Sequence, residues 1–257
     1  MNTREKLIAL QTIVTKETLR FARIWVQTVL PPAVTTALYF IIFGNLIGPR
    51  IGNMEGFAYM EFIIPGLIMM AVITNSYANV VSSFYGSKFQ RHIEEMLISP
   101  TPNYIILLGF ISGGVMRGLT VGTAVTIVSL LFNPLNIHSL PVMISMVLLT
   151  SVLFSLAGLI NGVFANSFDD ISIIPTFVLT PLTYLGGIFY SINMLPEFWQ
   201  GASLFNPILY MVNAFRYGFL GISDISLLTS YSISCGFIVA LYLLCLYLLR
   251  TGHGIRT

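Results

Sequence analysis

Long apolar runs alternate with short polar breaks along this chain. Six runs stand out, at about 26–47, 62–84, 106–131, 140–165, 171–190 and 228–249. Each is close to the ~20 residues a helix needs to cross a hydrocarbon core. None alternates with period two, which argues for helices and against a barrel. The pattern predicts one all-α membrane domain over residues 1–257. It holds six transmembrane helices, an N-terminal interfacial helix, a cytoplasmic helix between spans two and three, and re-entrant helices before the last span.

The breaks carry as much information as the runs. Within residues 3–25, Leu7, Leu10, Val14, Phe21 and Trp25 share one side of a helix, and Lys16, Arg20 and Arg23 cluster on the other. This predicts a helix on the cytoplasmic leaflet, its basic face toward anionic head groups. The alternative is a helix packed on the protein's own surface. Between spans two and three, Ser87 and Gln90 match a capping box, and Pro100 ends the helix at Ser99. Phe89, Ile93, Met96 and Leu97 then share a face, leaving Lys88, Arg91, Glu94 and Glu95 on the rest. Such a helix suits docking on a soluble partner; the alternative is a solvated loop helix.

Polar residues inside the runs need partners. Span two carries Asn75, Tyr77 and Asn79, and span three is interrupted by Arg117 beside a Gly114, Gly118, Gly122 stripe suited to close helix contact. Asp169 and Asp170 fill a short turn, where capping of the next helix is the preferred reading. Pro175 and Pro181 break span five. Residues 191–226 fall into pieces too short to span, with Asn206-Pro207 as a turn signal. Basic residues collect at the N-terminus, in loop 85–103 and at the C-terminus (Arg250, Arg256), so both termini are expected in the cytoplasm.

Composition agrees with the pattern. Of 257 residues, 56% are hydrophobic and 9% charged, with a mean hydropathy of +0.86; ordinary soluble domains are roughly 25% charged. No cleavable signal peptide is expected. The two cysteines, Cys235 and Cys245, share one run and make no disulfide framework or metal site. No phosphate-binding loop and no His-Glu-x-x-His occurs, so no catalytic, cofactor or metal residue is assigned. Nucleic acid is not an expected partner. Intramembrane carboxylates are nearly missing, which disfavours an ion-coupled secondary carrier. A membrane enzyme acting on lipid-linked substrates through the Asp pair is the other alternative.

Pro175-Thr176-Phe177, Leu185-Gly186-Gly187-Ile188-Phe189-Tyr190, Leu195-Pro196, Asn206-Pro207 and Phe215-Arg216-Tyr217-Gly218 together resemble the C-terminal signature of ABC-2-type permeases, the membrane subunits of a class of ATP-binding-cassette exporters. The likeness extends over the whole chain and is closest in detail to bacterial inner-membrane transport permeases. It implies a homodimer in the lipid bilayer working with a separate ATPase subunit, which would bind ATP and Mg. It makes Lys88, Phe89, Arg91, Ile93, Glu94, Glu95 and Leu97 the ATPase-coupling helix. It implies outer-face helices near 193–213, and spans one, two and five around the dimer axis. Tyr39, Asn75, Tyr77, Asn79, Thr180 and Tyr184 are the candidate pathway residues. Gly186, Gly187, Pro196, Asn206, Pro207 and Arg216 carry the family motif. The resemblance leaves polysaccharide, lipid and drug substrates open; the small size fits a hydrophobic or lipid-linked one.

Overall fold

The computed structural model describes residues 1–255, so Arg256 of the expected basic tail lies outside the described residues. Helix α1 (Thr3–Arg23) begins on a capping box of Asn2 and Glu5, which satisfies its first N–H donors. The chain bends at Ile24 and enters α2 (Trp25–Tyr39), a π-helical stretch (Phe40–Ile47) and α3 (Gly48–Ile51), which form one 27-residue apolar rod. A small hairpin follows, β1 (Asn53–Met54) and β2 (Phe57–Ala58). Glu55 and Gly56 form its turn with φ of 50° and 89°, the left-handed pair a two-residue hairpin requires.

Helix α4 (Tyr59–Phe89) is the axis of the molecule. Helices α6 (Asn103–Leu130) and α7 (Leu140–Phe164) flank it, and the short α5 (His92–Ile98) joins α4 to α6. After α7 come α8 (Asp170–Ile174), a π-helical turn (Pro175–Leu179) and α9 (Thr180–Tyr184), then α10 (Glu197–Ser203), α11 (Pro207–Leu220) and α12 (Leu227–Thr251). Helix α1 packs on α6, while α11 and α12 pack on α7.

Among the described residues, five helices are long and apolar enough to cross a membrane: 25–51, 59–89, 103–130, 140–164 and 227–251. The expectation of six full-length spans is corrected at 171–190. That segment is three five-residue helical pieces, about 22 Å of helix at 1.5 Å per residue. The cause is local. Pro175 and Pro181 each remove a ladder donor, and the Thr180 hydroxyl donates to the Pro175 carbonyl (2.9 Å) across the wide turn. The helix then ends at Gly186-Gly187, with Gly187 at φ 72°. The broken segment nevertheless runs the length of α4. At one end Phe168 packs edge-on against Tyr85, 4.9 Å between centroids, and at the other the Tyr59 hydroxyl donates to the Phe189 carbonyl at 3.2 Å.

A second correction concerns the start of the short helix. Ser87 does not cap it. Ser87 is buried in the last turns of α4, which continues to Phe89, and Arg91 turns the chain at φ 61° before α5 begins. Extending an existing helix adds one bond per residue, whereas a new start needs a costly nucleus. The stop at Ser99, extended before Pro100, is as expected.

The glycine stripe of α6 brings three helices together. A Cβ on Gly118 would collide with Ser76 of α4, one on Gly122 would lie 2.8 Å from Val72, and one on Gly114 would strike Ser155 of α7. Gly158 of α7 returns the contact, with the Tyr77 carbonyl 2.5 Å from where its Cβ would stand. Neighbouring apolar helices gain little from leaving lipid, so such backbone approach supplies the attraction. Replacing Gly158 by Val should therefore destabilise the bundle by about 1–3 kcal/mol, the usual range for overpacking. Gly86→Ala, where a Cβ meets nothing within 4 Å, should leave stability unchanged or slightly raised. Thermal unfolding in detergent compares the two.

Candidate functional site

Helices α2, α4 and α6 leave a cavity of about 390 Å³ between them. Pro31, Pro32, Thr35 and Tyr39 line it from α2, Leu67, Met70, Ala71 and Asn75 from α4, and Arg117 from α6. The two prolines deprive the Gln27 and Thr28 carbonyls of their helical donors. Asn75 is fixed by its own helix: its Nδ2 donates to the Ala71 carbonyl at 3.0 Å. That leaves Oδ1 to accept from Arg117 Nη2 at 3.1 Å. Arg117 Nε is buried without a partner, and no carboxylate among the described residues pairs with this guanidinium.

One turn along α4 lies a second polar node. Asn79 Oδ1 and its carbonyl both accept from Arg20 Nη2, each at 2.8 Å. Arg20 Nε also donates to Glu17 at 3.4 Å, and Glu17 accepts from the Ser83 hydroxyl at 2.6 Å. Glu17 is wholly buried. Helix α1 is thus docked on the bundle, with Ile13 over Gly109 and Glu17 over Gly113. The expectation that Arg20 faces head groups is corrected: it points inward, because a buried carboxylate must be matched. Charge pattern alone does not single out Glu17, one of two acids on a largely basic helix. Its four-residue spacing from Ile13 and Phe21 was the available signal.

The proposed pathway residues separate in space. Tyr39 and Asn75 line the cavity. Tyr77 is buried beside Asn161 of α7, and Asn79 belongs to the Arg20 node. Thr180 is exposed, its hydroxyl held by Pro175. Tyr184 stacks on Phe189 at 6.0 Å, and Phe189 lies 6.0 Å from Tyr39, so the two tyrosines flank one aromatic group.

The charged break also divides. Lys88 Nζ donates to the carbonyls of Val163 (2.7 Å) and Ala165 (2.9 Å), capping the C-terminal end of α7. Ile93 is fully buried, and Glu94, Met96 and Leu97 are half-buried. Arg91, Glu95, Phe89 and Ile98 are exposed, the last at 84%. Phe89 therefore does not share a face with Ile93, because the turn at Arg91 breaks the helical register. Beside this end, the Asp170 carboxylate accepts from the N–H groups of Asn166 (2.9 Å) and Ser167 (3.2 Å) and from the Ser167 hydroxyl (2.8 Å). These donors, Asn166 first, hold its pKa below the usual carboxylate value. Asp170 thus closes the 166–167 turn that leads into α8, while Asp169 at the N-cap makes no side-chain capping bond; no group of three metal ligands exists among the described residues.

The motif residues build the far end of the molecule. Gly186 lies against Ile208, and Pro196 and Asn206 precede α10 and α11. Asn206 Oδ1 accepts from the Ile208 N–H at 3.0 Å, its Nδ2 donates to the Leu182 carbonyl at 2.6 Å, and Pro207 opens α11. Arg216 is buried, donates to the Gly187 carbonyl and lies 3.9 Å over the Phe62 ring.

A family model for the ABC-2 type transporter matches residues 8–220. The inner membrane transport permease YadH of Escherichia coli strain K12 is 61% identical over 250 residues, which cover 97% of this chain and 98% of that protein. Nodulation protein J of Rhizobium leguminosarum bv. viciae is 23% identical over 214 residues, 83% of each chain. Its namesake in Rhizobium meliloti strain 1021 is 22% identical over 204 residues, 79% of this chain and 78% of that one.

Two outcomes follow from the polar nodes. Glu17→Ala removes the counter-ion of the part-exposed Arg20 and the acceptor of Ser83 and should destabilise the protein by about 1–3 kcal/mol, with faster proteolysis of α1 in detergent. Asp170→Asn should lower the Tm slightly at neutral pH. Because the native pKa is depressed, the wild-type advantage is complete above the ordinary carboxylate pKa and shrinks as pH falls through the native value. A Tm series from pH 7 to pH 3 reads this difference.

Proposed function

The chain belongs to the ABC-2 type transporter family, and from that premise we propose that it is the permease subunit of an ATP-driven exporter, working as a homodimer with a separate ATPase subunit. The observation that carries this reading is the divided surface of α5. Its buried side, Ile93 with Met96 and Leu97, joins it to the bundle, while Arg91, Glu95 and Ile98 face outward with nothing covering them. A seven-residue helix between the ends of α4 and α6 is placed to pass a push from a soluble partner into both walls of the cavity. Lys88 extends the connection to α7.

In this reading the partner binds ATP and Mg, and this chain supplies the path. The stretch 171–190 makes a sixth crossing as a broken helix beside α4. Both termini and α5 then face the cytoplasm, consistent with the basic residues of those segments. The dimer axis runs past α2 and the broken helix, where the family resemblance puts it, so that the exposed Leu30, Val34, Leu38, Ile173 and Phe177 would face the second copy. The name of the E. coli relative supports a place in the bacterial inner membrane. The enzyme alternative loses its motivation, since the Asp170 carboxylate is taken up by the 166–167 turn.

Affinity purification of the tagged chain from its native membrane should recover an ATPase subunit at about one per permease. Ile98→Asp should weaken that association at least tenfold while leaving the Tm of the purified chain unchanged. Recovery of the chain alone, or full association of the variant, would overturn the assignment of α5.

A further inference from the structure

We propose that Arg117 is the recognition residue of the α2–α4–α6 cavity, and that the cavity takes an amphiphile with a phosphate head on an apolar chain. As a statement about substrate this rests on the permease reading; as a statement about binding it stands on the cavity alone.

The other cations of the bundle are occupied. Arg20 is matched by Glu17, Lys88 by two carbonyls, and Arg216 by a carbonyl and an aromatic face. Arg117 has only the neutral Asn75, and its Nε is buried and unpartnered. It stands midway along the 28-residue α6, roughly 20 Å from either end at 1.5 Å per residue. That is too far for its side chain to reach the interface by snorkelling. The guanidinium therefore stays at the wall of a largely apolar cavity, with Nε enclosed by protein and Nη2 only on a neutral amide. An anion of matching shape is the partner such a guanidinium selects, and it binds phosphate and carboxylate oxygens through parallel N–H donors.

The rest of the cavity narrows the choice. Thr35, from the α2 wall, adds a hydroxyl donor to the lining, which suits a head with three oxygens over one with two. Pro31, Leu67 and Met70 supply an apolar surface for a chain. A soluble anion would leave that surface unused, and a neutral lipid would leave Arg117 unpaired.

The test uses the full-length chain in a non-ionic, phosphate-free detergent micelle, with dodecyl phosphate as the probe and binding read by native mass spectrometry and thermal shift. Dodecyl phosphate should bind, and Arg117→Gln should weaken it at least tenfold, with Arg117→Lys intermediate. Met70→Glu, which places a competing acid in the cavity wall, should weaken it as well. Arg50→Gln, in α3 and outside the cavity lining, should bind like the wild type. Dodecyl maltoside binding as tightly as the phosphate would overturn the need for an anion, and dodecanoate binding as tightly would overturn the choice of phosphate. Inorganic phosphate binding as tightly would remove the role of the chain, and equal binding by wild type and Arg117→Gln would end the proposal. If Arg117→Gln does not fold, the Lys and Met70→Glu variants decide. No arm needs ATP or a partner, so failure to recover an ATPase would sink the permease reading and leave this result standing.

Discussion

Lipid tails are as apolar as leucine, so no hydrophobic force presses one membrane helix on another. This bundle depends instead on how closely α4, α6 and α7 approach. The glycines of α6 and α7 remove the side chains that would hold them apart, and Ser76, Val72 and the Tyr77 carbonyl fill the space. The large side chains of α4 then meet neighbours on nearly every side, and residues from Phe62 to Phe84 are mostly buried.

On this close-packed frame, polar contacts act as staples. Arg20 and Glu17 fasten α1 to α4, Lys88 fastens α4 to the end of α7, and Arg216 fastens α11 to the loop at Gly187. Each joins segments distant in sequence, and each uses a group too expensive to leave unpaired at that depth. They set which helix ends move together. The cavity sits where such stapling is incomplete, between α6 and a proline-containing α2 that touches the bundle lightly.

Much of this was legible in the chain itself. Five of the apolar runs became helices near the expected ends, and the glycine stripe marked a real contact. The departures have physical causes. Ser87 and Gln90 satisfy a local capping pattern, but continued burial along α4 outweighed it. The run at 171–190 has the hydropathy of a span, yet two prolines and a side-chain hydroxyl rearranged its backbone bonds. Lys88 was grouped with Arg91 and Glu95 because charge alone does not tell which way a side chain points. Arg117 could be flagged as costly, but its neighbour Asn75 lies on another helix, and single-sequence periodicity does not pair helices. The placement of Tyr77 and Asn79 away from the cavity has the same origin.

The central position of α4 bears on how the protein is made. Its 18-residue apolar core has the lowest mean hydropathy of the five long helices, 1.4 against 2.3 for α7 and α12, and 83% of that core is buried. Yet α4 leaves the ribosome before either helix that surrounds it. At ordinary synthesis rates α7 is completed only on the order of several seconds later. During that interval Asn75, Ser76 and Asn79 have no α6 or α7 to pack against, and α1, already made, carries the first partner for Asn79. Biogenesis thus begins with the least lipid-soluble helix resting on an amphipathic one, and the bundle closes around it as the remaining spans arrive.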